Sequence, residues 1–172
     1  MERPVRKSNR LREYDYSQPG CYFVTICAKD RRPLFWAENV PDTGVGADII
    51  RPRPIKLSDL GLIVEGAILE MPRRYANVTL DKYVIMPNHV HILLTLGAQN
   101  RRMISAPTKS LSTVVGQMKR AVAKQACMDV WQKGYHDHVV RNDADYFRVW
   151  GYIDTNPAKW REDCYYCPEE GR

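Results

Sequence analysis

The stretch Val78-Thr79-Leu80-Asp81-Lys82-Tyr83-Val84-Ile85-Met86-Pro87-Asn88-His89-Val90-His91-Ile92-Leu93-Leu94-Thr95-Leu96 decides the fold. Two runs rich in β-branched and large apolar residues flank a Pro-Asn break. Each run is of strand length, and the break is too short for a crossover. The pair therefore reads as an antiparallel hairpin, although Pro-Asn is not the dipeptide that tight hairpins favour. Residues i and i+2 of a strand share a face, so His89 and His91 project together.

The rest of the chain arranges itself around this hairpin. Residues 21–27, Cys-Tyr-Phe-Val-Thr-Ile-Cys, follow a Ser17-Gln18-Pro19-Gly20 turn and read as a buried strand. Residues 37–57 hold Pro41, Gly44, Gly46, Pro52 and Pro54 and read as a long loop. Ser58 is a good N-cap for a helix bearing Leu60, Ile63, Val64, Ala67, Ile68 and Met71 at helical spacing, with Pro72 as its stop. A second helix is predicted over residues 109–127, with Leu111, Val114, Val115, Met118 and Val122 on one face. A short strand is expected around residues 135–140. Asn142 then caps a third helix, with Asp145 at its N3 place and Tyr146, Val149, Trp150 and Ile153 as its buried stripe. Pro157 should end it. This order predicts an α+β fold, an antiparallel sheet with helices packed on one face.

Bulk properties narrow the class. The 172 residues suit a single domain, 1–172, led by a basic segment, 1–16. Hydrophobic residues at 44% and charged residues at 27% fit a globular chain rather than a disordered one. No apolar run approaches the roughly 20 residues that span a bilayer, and the charged N-terminus lacks the apolar core of a secretory signal. The expectation is a cytoplasmic protein without membrane contact. With 26 Lys+Arg against 20 Asp+Glu, the formal charge is +6, which favours a polyanionic partner. Five cysteines include a single C-x-x-C, Cys164 and Cys167; without a second pair it reads as reduced thiols rather than as a zinc site.

Two places can carry chemistry. Neutral imidazoles side by side, as at His89 and His91, suit a divalent cation; the ordinary reading is two polar positions on a half-exposed strand. On the last predicted helix, Tyr152 and Asn156 are four residues apart and share a face beside the apolar stripe. Ten tyrosines are present, so spacing alone does not single out Tyr152. A second H-x-H, His136 and His138, is expected to be structural or to lie near a nucleic acid.

Three strings carry a family resemblance: residues 10–16, Arg-Leu-Arg-Glu-Tyr-Asp-Tyr, leading into residues 20–25, Gly-Cys-Tyr-Phe-Val-Thr; Met86-Pro87-Asn88-His89-Val90-His91; and Tyr152-Ile153-Asp154-Thr155-Asn156-Pro157. Residues 131–141, approaching the last helix, are similar as well. In this order, over nearly the whole chain, the sequence resembles the REP-associated tyrosine transposases, of the HUH single-strand nuclease superfamily. The proline-rich residues 37–57 look longer than a minimal member needs.

The resemblance implies a ferredoxin-like HUH nuclease sandwich and a metal-dependent DNA transposase. Tyr152 would be the nucleophile. His89, His91 and Asn156 would hold Mg2+ or Mn2+. The chain would cleave and rejoin single-stranded or hairpin DNA through a 5′-phosphotyrosine, as a monomer or a homodimer. Arg6, Lys7, Arg10, Arg12, Lys119, Arg120 and Arg141 are candidate DNA contacts. Two other readings stay open: a domesticated, non-cleaving, repressor-like DNA-binding protein, and a metal enzyme acting on a small molecule.

Overall fold

A computed structural model of the chain describes residues 14–37, 55–97 and 109–166. Its strands are β1 (Gly20–Cys27), β2 (Val78–Ile85), β3 (His89–Leu96) and β4 (His136–Val140). They form one antiparallel sheet in the order β2-β3-β1-β4. The expected hairpin is β2–β3, with Ile85 opposite Val90 and Met86 N–H donating to the His89 carbonyl at 2.9 Å. A register shift between Leu80 and Lys82 marks a β-bulge in β2.

Alternation along β3 sorts its side chains between two layers. Val90, Ile92, Leu94 and Leu96 join Tyr22, Val24 and Ile26 of β1 in the larger core. The apolar stripes of α1 (Asp59–Leu69) and α3 (Leu111–Gln125) close this core from one side, through Val64, Ile68, Leu111, Val115 and Val122. Each such aliphatic side chain contributes about 1.5–3 kcal/mol on full burial. The helices begin where side-chain oxygens accept otherwise unpaired N–H groups: Ser58 from Gly61 at 3.0 Å, Ser110 from Thr113 at 3.3 Å, and Asn142 from Asp145 at 2.9 Å.

The α+β class is as the sequence indicates, and three details differ. Pro72 does not stop a helix. It sits in the first turn of a short α2 (Met71–Arg74), where its missing N–H needs no partner. The expected gathering of helices on one face holds for α1 and α3, whereas α4 (Asp143–Thr155) lies across the opposite face. There Val149 and Ile153 pack on Val84, Met86 and Leu93. Trp150, expected in that buried stripe, is 37% exposed, with the Lys82 ammonium 4.4 Å from its ring centre. Leu93 and Phe23 give this face its own apolar surface, and among the described residues α4 covers it together with Trp36 and Trp160. Past α4 the chain continues through Pro157 as a 3-10 turn, Asn156–Glu162, that turns back toward the sheet. No helix among the described residues is long and apolar enough to cross a membrane.

Candidate active site

His89 and His91 lie on the β3 face that α4 covers. Both are enclosed, 0% and 1% exposed. Their Nε2 atoms are 2.9 Å apart. The neighbours of each ring determine which nitrogens carry protons. Asn88 donates Nδ2 to the carbonyls of Arg31 (3.2 Å) and Tyr165 (2.8 Å). Its Oδ1 therefore faces His89 Nδ1, at 2.8 Å, and accepts that ring's proton. His89 Nε2 is left with a bare lone pair. The Thr25 hydroxyl is 2.8 Å from His91 Nδ1 and can donate or accept. With His89 Nε2 unprotonated, His91 donates Nε2–H to it. Rotation of the Thr25 hydroxyl permits the other tautomer, in which both Nε2 lone pairs converge.

That convergence is the test of whether a divalent ion fits. Two nitrogens at adjacent positions of an octahedral ion with bonds of about 2.1 Å are about 3.0 Å apart, close to the separation found. Asp163 adds a carboxylate, with ligand atoms of His89, His91 and Asp163 all within 4.8 Å of one another. Its Oδ2 is 3.9 Å from His89 Nε2, and its Oδ1 accepts the Tyr165 N–H at 2.7 Å. The donor set of two imidazoles and one carboxylate fits a divalent cation.

Burial lowers the proton affinity of both rings well below the ordinary 6.5. The nearby Arg31 guanidinium adds to this at His89, and His89 adds to it at His91. Neutral imidazole is the form that binds metal. Arg31 follows Asp30, and both have left-handed φ, 57° and 54° in chain order. This uncommon backbone brings Arg31 over the Tyr165 ring at 5.5 Å, while its carbonyl receives Asn88.

α4 delivers Tyr152 to the same place. Its hydroxyl is 3.4 Å from His91 Nε2 and donates to Asp163 Oδ2 at 3.3 Å. The ring stands edge-on to Phe23 at 6.0 Å and to His91 at 5.2 Å. Burial and the Asp163 carboxylate push the phenol well above its usual 10, while the Asn156 amide favours its ionised form. The phenol is therefore neutral at rest near neutral pH.

The other expected residues divide. Asn156 is buried, and its Nδ2 has no hydrogen-bond partner of ordinary geometry. Lys119 is turned inward, with Nζ donating to the Gln132 and Gly134 carbonyls at 2.7 Å each, so it staples α3 to the following loop instead of facing outward. Arg120 is exposed and bonds the Gly116 carbonyl within α3. Arg141 is exposed, directly before the α4 cap. Arg6, Lys7, Arg10, Arg12 and Cys167 lie outside the described residues; Cys164 is an exposed free thiol. Asp163, Thr25 and Asn88's role as a hub were not read from the sequence. Asn88 beside the histidines was a local hint, whereas Thr25 and Asp163 arrive by strand register and by the turn after Pro157.

No protein-family model matches the chain. A protein of Haemophilus influenzae, described as uncharacterized, is 31% identical over 179 residues, spanning 94% of this chain and 93% of that one. The chain belongs to the family of that protein. Among solved structures, a REP-associated tyrosine transposase bound to a REP hairpin is similar with a TM-score of 0.62, at 20% identity, over 89% of this chain and 74% of that chain. This likeness is one of fold: the chain shares with that structure an α+β architecture built on an open four-stranded antiparallel sheet.

Proposed function

We propose that this protein is a metal-dependent tyrosine transposase, a single-strand DNA endonuclease that cleaves and rejoins DNA through a 5′-phosphotyrosine. The observation that carries the reading is the Tyr152 hydroxyl 3.4 Å from His91 Nε2, which is itself 2.9 Å from His89 Nε2. A nucleophile of this kind beside a paired-imidazole site suits phosphoryl transfer better than chemistry on a small molecule. The shared fold supports the same reading.

In this proposal His89, His91 and a third oxygen ligand, from Asn156 or Asp163, hold Mg2+ or Mn2+. The ion supplies charge neutralisation at the scissile phosphate. Tyr152 Oη attacks phosphorus, its proton leaving to Asp163 or water. The P–O3′ bond breaks, giving a free 3′-OH and a 5′-phosphotyrosyl strand. Attack by a second 3′-OH reverses the step and rejoins DNA, with the bond energy kept in the adduct. Thr25 and Asn88 orient the rings, and Phe23 limits the swing of the tyrosine. Single-stranded DNA beside a hairpin is the substrate, and the basic first sixteen residues, with Arg120 and Arg141, would contact its phosphates. We place the enzyme in the cytoplasm, as one domain acting as a monomer or homodimer.

The test is incubation of the protein with 3′-labelled single-stranded hairpin DNA from its own genomic flanks, in Mn2+ or EDTA, followed by denaturing electrophoresis. A metal-dependent, SDS-resistant protein–DNA band, lost in Tyr152→Phe, is the expected result. Binding without any adduct across several flanking hairpins would instead favour the non-cleaving, repressor-like protein.

A further inference from the structure

One charged cluster on the α4-covered face takes no part in the metal site. His138 sits directly opposite Phe23 in the β1–β4 register. Cross-strand partners share a face, so His138 lies one strand beyond the ring that packs edge-on to Tyr152. Its Nε2 is 2.6 Å from Asp145 Oδ2, and the other oxygen of Asp145 binds Arg148 Nη2. The Asp145 N–H is held by the Asn142 cap, so the carboxylate is fixed at both ends. Arg148 is four residues before Tyr152 and is its neighbour on the helix surface. Its side chain is 67% exposed, and Nη2 is the guanidinium atom engaged by Asp145.

These contacts make an arrangement unlike a free surface arginine. The carboxylate is occupied by two basic groups and shows little negative charge outward. The contact with Asp145 restrains the guanidinium, so less side-chain freedom is lost when it binds than for an untethered arginine. The rest of the side chain is largely exposed, on a residue one helical turn before Tyr152. Planar N–H donors of this kind suit a phosphodiester oxygen.

We infer that Arg148, positioned by Asp145 and His138, binds a phosphodiester of the single strand next to the one that Tyr152 attacks. This rests on the tyrosine-nuclease reading for its substrate. The contact is to the backbone, so it sets the register of the strand without reading its bases.

The experiment measures binding of a fluorescent single-stranded hairpin oligonucleotide to the full chain by anisotropy across a salt series, in EDTA so that no cleavage intervenes. Arg148→Gln should weaken binding about 5-fold at 0.1 M salt and make the slope of log K against log[salt] shallower by about 0.7. Arg148→Lys should keep most of the slope, and Arg73→Gln, on the far side of the sheet, should leave it unchanged. An unaltered slope in Arg148→Gln overturns the inference, as does a lowered Tm alone, which marks a merely structural ion pair. The adduct assay separates the two readings. Adduct formation with an unaltered Arg148→Gln slope removes only the phosphate contact. A lost slope without any wild-type adduct keeps the contact and removes the nuclease.

Discussion

Tyr152 Oη lies between two groups of opposite character, 3.4 Å from His91 Nε2 and 3.3 Å from Asp163 Oδ2. Removing the hydroxyl deletes two long polar contacts and leaves the ring's contacts with Phe23 and His91. Tyr152→Phe should therefore change stability by less than about 1.5 kcal/mol while abolishing the covalent adduct. Thermal unfolding alongside the gel assay checks both, and normal cleavage by this variant would remove Tyr152 from the chemistry.

The bare Nε2 of His89 predicts that metal and fold are linked. A divalent ion that binds the folded protein alone stabilises it by about 2.7 kcal/mol at a hundredfold excess over its Kd. Mn2+ should raise the Tm, EDTA should reverse the rise, and His89→Ala or His91→Ala should eliminate it together with cleavage. A Tm indifferent to Mn2+ in the wild type would count against the site.

The two depressed histidines predict loss of stability in acid. Folded, they resist protonation; unfolded, they take up protons near pH 6.5. The unfolded chain thus binds more protons below that pH, and stability falls as pH drops. With both rings contributing, the slope approaches about 2.7 kcal/mol per pH unit. Urea unfolding in EDTA between pH 7.5 and 5 should show it, and His91→Gln should flatten it. The carboxylates Asp129, exposed, and Asp145, half-buried, are held below the ordinary carboxylate range by basic partners and act only at lower pH.

Asn88 joins three parts of the chain through one amide. Asn88→Ala should leave the Arg31 and Tyr165 carbonyls without this donor, costing about 1–3 kcal/mol. It should also release His89 Nδ1 and lower metal affinity about 10- to 100-fold. Calorimetric titration with Mn2+ measures the second effect, and Asn88→Asp, which keeps the acceptor for His89, should recover part of it.

Residues governed by local rules were legible in the sequence. The β2–β3 hairpin, the shared face of His89 and His91, and the caps at Ser58 and Asn142 follow from strand periodicity and backbone chemistry within a few positions. Tyr152 was not separable from nine other tyrosines by spacing; the family resemblance singled it out. What escaped depends on contacts distant in sequence. Thr25 reaches His91 through sheet register, 66 residues away. Asp163 arrives by a turn that Pro157 redirects rather than ends. Lys119 looked like an outward charge because no periodicity reveals two carbonyls converging on its side chain. Trp150 reads as buried because helical spacing does not reveal how narrow a strip of α4 touches the sheet.

The hairpin carrying the histidines is synthesised well before α4, since His91 precedes Tyr152 by 61 positions. A ribosome-bound chain that has extruded only the hairpin therefore holds the two imidazoles, but neither Tyr152 nor the Asp163 carboxylate that joins them. Competence arrives in one late step, when the helix laid across the open face docks. On the proposed reading, cutting strands would belong to the finished polypeptide and not to its nascent fragments.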